Sequence, residues 1–98
     1  MQKYDYFELY SIYKPLLTEK QADIFSLYIE CDLSLGEISE LKSISRQGVS
    51  DTINKTKEIL SAHEEKLQLY SKKQQILCEI KKLNDQSVKN SILEILGE

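Results

Sequence analysis

The chain has little of what most enzymes and secreted modules are built from. Its 98 residues hold two cysteines, one histidine, one proline, three glycines and no tryptophan. Cys31 and Cys78 have 46 residues between them and no C-x-x-C spacing, so neither a disulfide framework nor a zinc site is legible. Both read as packed thiols in a reducing compartment. Gly36, Gly48 and Gly97 do not cluster into a phosphate-cradling loop. His63, Glu64-Glu65 and the Glu37/Glu40 pair have no nucleophile, base or metal motif beside them. No apolar run approaches membrane length, and the first residues lack the charged-then-apolar pattern of a signal peptide. The reading is therefore a cytoplasmic protein that is not an enzyme, with no cofactor, no small-molecule ligand and no membrane insertion.

What is present is helical patterning. With 41% hydrophobic and 30% charged residues, the composition fits a small all-α domain. Thr18 followed by Glu19-Lys20-Gln21 is a capping box, in which the hydroxyl and the amide satisfy each other's orphan backbone donors. Ser34-Leu35-Gly36-Glu37 repeats the device, and Ser45 is a third cap candidate. Ala22, Ile24, Phe25, Leu27, Tyr28 and Cys31 recur at helical steps. Leu35, Ile38 and Leu41 mark a face of a short second helix; Val49, Ile53, Thr56 and Leu60 mark a face of a third. Lys42-Ser43-Ile44 is the turn between them, with Ile44 directed inward. A short helix, a tight turn and a helix opening with polar and basic residues is the layout of a helix-turn-helix.

The residues that would touch DNA follow from 100° steps. With Val49, Ile53 and Thr56 facing the core, Gln47, Ser50, Asp51 and Asn54 lie opposite, and Arg46, Lys55 and Lys57 lie on the flanks. Gln and Asn suit adenine edges and the cations suit phosphates. The open N–H groups of the helix start, near Ser43 and Ser45, add a phosphate site. The same polar face is also what any solvated helix shows. Charge is distributed accordingly: residues 1–41 carry net −5, residues 42–57 net +3 and residues 58–98 net −1. Asp51 and Glu58 oppose the local excess, whose small size points to a dimer or a different partner.

Between Gly48 and Gly97 there is neither Pro nor Gly, so the third helix is expected to continue to Leu83. Val49, Ile53, Thr56, Leu60, His63, Leu67 and Tyr70 step by four and three, a heptad seam that Leu77 extends, with Ile80 on a stripe shifted sideways. A seam this long needs a covering surface. Asn84 to Ser87 reads as a loop and cap, followed by a short final helix carrying Val88, Ile92, Ile95 and Leu96 that can fold back as a hairpin. A second chain is the other covering, which makes a homodimer the expectation, with Leu60, His63, Leu67, Tyr70, Leu77 and Ile80 at the interface. The domain reading is residues 1–60 for the helix-turn-helix and its aromatic helix, and residues 61–98 for the extension and final helix.

The first thirteen residues hold five of the eight aromatics: Tyr4, Tyr6, Phe7, Tyr10 and Tyr13. Pro15 limits this element to about residue 14. A stacking platform for single-stranded bases is one reading. Asp5 and Glu8 have the wrong sign for it, which favours core or dimer contact.

Three separated blocks carry a family resemblance: Leu16-Leu-Thr-Glu-Lys-Gln, Leu33-Ser-Leu-Gly-Glu-Ile and Ile44-Ser-Arg-Gln-Gly-Val-Ser-Asp. Together they resemble the YlxM-like helix-turn-helix family of Gram-positive bacteria and mollicutes, over roughly residues 5–70. The resemblance implies a fold like the DNA-binding region 4 of sigma factors joined to a long C-terminal helix. It also implies a regulatory role tied to the signal recognition particle pathway, with double-stranded DNA or components of that particle as partners. The chain departs from the family at Ile53-Asn54-Lys55, where a Lys-Arg pair is expected after the Ile, and at Gly48, where Ala is more usual.

Overall fold

In the computed structural model, residues 3–98 are described, with side chains from Tyr6 onward. Tyr4 and Asp5 belong to the first helix, but their side chains lie outside the described residues. The described chain is all helical: α1 (Lys3–Tyr13), a 3-10 turn (Lys14–Leu16), α2 (Glu19–Ile29), α3 (Leu35–Lys42), α4 (Arg46–Leu67), α5 (Leu69–Ile80) and α6 (Gln86–Leu96). Two compact units divide it, one ending at Leu67 and one running from Gln68 to Glu98.

Local chemistry explains where the helices of the first unit begin. Thr18 Oγ1 accepts from the Gln21 N–H at 3.2 Å, and the Gln21 side chain accepts from the Thr18 N–H at 3.0 Å. Ser34 and Glu37 close the same box, at 3.1 and 3.0 Å. Ser45 Oγ accepts the Gly48 N–H at 2.9 Å and caps α4 without a reciprocal partner. Caps of this kind are each worth about 1 kcal/mol. α3 ends at Ser43, which takes the left-handed conformation at φ 56°. The Ser39 hydroxyl then donates to the Ile44 carbonyl and holds the turn.

The core of the first unit forms around α4, which packs against α1, α2 and α3. Leu9, Tyr10 and Tyr13 come from α1; Ile24, Phe25 and Ile29 from α2; Ile38 from α3; Val49, Ile53, Thr56 and Leu60 from α4. Burial of each large apolar side chain contributes roughly 1.5–3 kcal/mol. The Thr56 hydroxyl, fully buried, donates to the Thr52 carbonyl at 2.7 Å, so its desolvation is offset. Of the aromatics of α1 whose side chains are described, Tyr10 and Tyr13 are core, Tyr6 is half-buried and Phe7 is exposed. Tyr10 OH donates to the Ala22 carbonyl at 3.2 Å, and Tyr13 OH donates to Glu64 Oε1 at 2.7 Å.

Several expectations are corrected. Leu35 and Leu41 are exposed, and only Ile38 of α3 is buried. The helix is two turns long, and Leu35 and Leu41 stand about 60° to either side of Ile38, outside the strip that meets α4. Cys31 and Cys78 are both exposed rather than packed. Cys31 lies beyond the end of α2, so that helix's periodicity no longer carries it inward.

The third helix does not run through to Leu83. It ends at Leu67, and Gln68 takes the left-handed conformation at φ 54° before α5 begins. No glycine marks this break, and a non-glycine residue there costs about 1–2 kcal/mol. Val49 to Leu60 line the core of the first unit, and in the second unit Ile76, Ile80 and Leu83 line a groove with Ile92 of α6. In the second unit Asp85 caps α6 through the Ser87 and Val88 N–H groups, and Gly97 closes it at φ 80°. The hairpin of α5 and α6 is the expected one.

Candidate nucleic-acid interface

The turn from Ser43 to Ser45 sets α4 so that its buried stripe turns the opposite face to solvent. Gln47, Asp51 and Asn54 are exposed on that face and Ser50 is half-buried. Arg46 and Lys55 are exposed beside them, and Ser43 and Ser45 are exposed at the turn. Seven of the eight residues read from the sequence as DNA contacts therefore lie in the turn and along the first turns of α4.

Lys57 does not join them. Its Nζ sits 5.2 Å from the centre of the Tyr6 ring and 5.3 Å from that of Tyr28. The cation bridges α1 and α2 against α4, where cation–π attraction and its buried stem serve the fold. Lys57 is one residue beyond Thr56, close enough to the core stripe for that stem to follow it inward. Nothing in the local sequence distinguishes it from Lys55; the two tyrosines that claim it lie about fifty and thirty residues away.

The remaining side chains are partly engaged on their own helix. Gln47 Nε2 donates to Asp51 Oδ1 at 2.8 Å, and Lys55 Nζ lies 3.9 Å from Glu58. Both contacts are exposed and worth little, so a stronger ligand can replace them. Arg46 reaches back across the start of α3. A Cβ on Gly36 would come within 2.9 Å of the Arg46 guanidinium, so the absent side chain is what lets Arg46 lie there. Lys42, the other local cation, is paired with Asp23. The usable positive charge at this face is thus Arg46 and Lys55, with Asp51 between them.

Of the residues read as a dimer seam, Leu60 is fully buried within the first unit and Ile80 is 6% exposed. His63 stacks on Tyr13, with centroids 5.8 Å apart. Tyr70 and Leu77 are half-buried, and Leu67 is exposed. The seam was read along one continuous helix, whereas α4 ends at Leu67 and α5 begins at Leu69.

Among the described residues no group of three or more His, Cys, Asp and Glu side chains is placed to hold a metal ion. No helix among them is long and apolar enough to cross a membrane.

These elements define a small all-α helix-turn-helix protein. Residues 1–96 match the family model described as "Putative helix-turn-helix protein, YlxM / p13 like", and the chain belongs to that family. A family member from Caldanaerobacter subterraneus subsp. tengcongensis is 47% identical over 77 residues, 79% of this chain and 66% of that protein. One from Thermoanaerobacter sp. strain X514 is 49% identical over 75 residues, 76% of this chain and 64% of its own length. One from Halalkalibacterium halodurans is 42% identical over 93 residues, covering 92% of this chain and 85% of the relative. The chain thus spans slightly less than two thirds of the first two relatives.

Proposed function

We propose that the protein is a DNA-binding regulator that presents α4 to the major groove. The observation that carries this reading is the exposed start of α4. Gln47 and Asn54 stand there on the face opposite the core, Arg46 and Lys55 flank them, and a capped turn sets the helix. Arg46 and Lys55 contact phosphates, assisted by the Ser43 and Ser45 hydroxyls, while Gln47, Ser50 and Asn54 read base edges. Arg46 and Lys55 are few cations for a DNA-binding surface, which supports action as a homodimer on half-sites about one helical turn, roughly 34–36 Å, apart.

The test is retention of a random double-stranded DNA pool at low and physiological salt. Arg46→Ala/Lys55→Ala is expected to weaken binding to all sequences and to flatten the salt dependence by about two phosphate contacts. Asn54→Ala is expected to change sequence preference. Retention that neither variant alters refutes the reading.

A second reading has its own observation. Leu33, Glu37, Glu40 and Leu41 line an open groove of about 430 Å³, and no Lys or Arg occurs between residues 21 and 41. An acidic, partly apolar groove suits a basic protein surface, and the family resemblance makes a component of the signal recognition particle the candidate. Under this reading the helix-turn-helix is a scaffold, and Glu40→Lys abolishes co-purification with basic targeting components. Co-purification that survives the reversal counts against that face.

A further inference from the structure

The unit from Gln68 to Glu98 is a two-helix hairpin in which Ile80 alone is buried. Units below about 40 residues usually rely on a disulfide, a metal or association. Cys78, the cysteine of this unit, is free. Meanwhile Leu69, Ile76, Leu83, Val88 and Ile95 are exposed, Ile95 by 84%. Leu69 and Ile76 are seven residues apart and so share one stripe of α5, while Leu83 is exposed in the turn that follows the helix. Beside this stripe Ile76, Ile80, Leu83 and Ile92 line a groove of about 440 Å³ between α5 and α6, rimmed by Gln75, Glu79 and Lys82.

The charges beside the stripe point to its occupant. Lys72 and Glu79 are also seven residues apart, on one flank and of opposite sign. A two-fold axis crossing the helix between residues 75 and 76 sets Lys72 of one copy against Glu79 of the other, twice. It also brings Ile76 beside its own counterpart. Such a surface is self-complementary, as an isologous contact requires. Lys73 takes no part, because it is largely buried and paired with Glu98 at 2.7 Å. The contact of Glu79 with Lys82 at 3.0 Å is exposed and readily exchanged.

We propose that this stripe seats a second copy of the chain, with the two α5 helices antiparallel about Ile76 and Lys72 of each facing Glu79 of the other. The inference rests on the dimeric reading above and supplies its interface.

The test is sedimentation equilibrium of the full chain without DNA, beside Lys72→Glu, Glu79→Lys and the double reversal. All these side chains are exposed, and unchanged helical circular dichroism checks folding. The wild type is expected at twice 11.4 kDa. Each single reversal turns two attractions into two repulsions and is expected to weaken association on the order of tenfold; the double reversal restores it. A parallel pairing would not show that rescue. A monomeric wild type at high concentration overturns both this interface and the dimeric reading. A dimer indifferent to the single reversals, or one the double reversal does not restore, overturns this interface and leaves dimerisation to another surface.

Discussion

Leu60→Ala distinguishes a core residue from a seam residue. Leu60 is fully buried within the first unit, so truncation removes its transfer free energy and leaves a cavity. Leu→Ala at such sites costs about 2–5 kcal/mol. Small domains are stable by only about 5–15 kcal/mol, so the variant loses a large fraction of the total. At about 4–8 °C per kcal/mol for a domain of this size, a loss of about 3 kcal/mol lowers the melting temperature by roughly 12–24 °C. Urea and thermal unfolding of wild type and variant, followed by circular dichroism at widely separated protein concentrations, measure this directly. The cost should be the same at every concentration, because the packing that the truncation removes is internal to one chain. A cost below about 1 kcal/mol, or one that disappears on dilution, would refute the packing argument and return Leu60 to an interface.

Two further predictions concern the start of α3. The Ser34 backbone N–H, and then its hydroxyl, hold the Glu37 carboxyl below the ordinary glutamate range. A pKa lowered in the folded state contributes stability that is complete above the unfolded value and is lost as pH falls through the folded value. Stability should therefore fall in acid through this residue. Glu37→Gln, which can still accept from the Ser34 N–H, should remove that part of the acid dependence while changing stability little at neutral pH; identical acid-unfolding profiles would show the box to be inconsequential. At Gly36, the substitution Gly36→Ala favours the helix by up to about 1 kcal/mol but displaces the Arg46 guanidinium, a flexible group that moves at small cost. The expected result is an unchanged or raised melting temperature with weaker DNA retention. Weaker retention accompanied by lower stability would mean that the alanine disturbs the helix rather than the arginine.

Relations confined to a few neighbouring residues were legible in the sequence. The Thr18 and Ser34 capping boxes, the Ser45 cap and the Asp85 cap join groups two or three residues apart, so residue type and spacing decide them. The stripe Val49, Ile53, Thr56 and Leu60 follows from helical periodicity in the same way. The polar face of α4 that carries Gln47 and Asn54 is its geometric complement. The three blocks from Leu16 to Asp51 therefore sufficed for the helix-turn-helix and the family.

What periodicity leaves open is which partner a stripe meets and how far it is covered. Lys55 and Lys57 look alike in the chain, yet Tyr6 and Tyr28 draw Lys57 to the fold while Lys55 stays at the surface. Leu60 and Leu67 share one heptad pattern, but only the first is buried in the core of its unit. The turn at Gln68, in the left-handed conformation, has no glycine or proline to announce it. Sequence by itself determined the helices of the helix-turn-helix, their caps and the polar face of α4. Tertiary packing decided which of those side chains remain free to meet another molecule, since burial depends on residues brought together from distant parts of the chain.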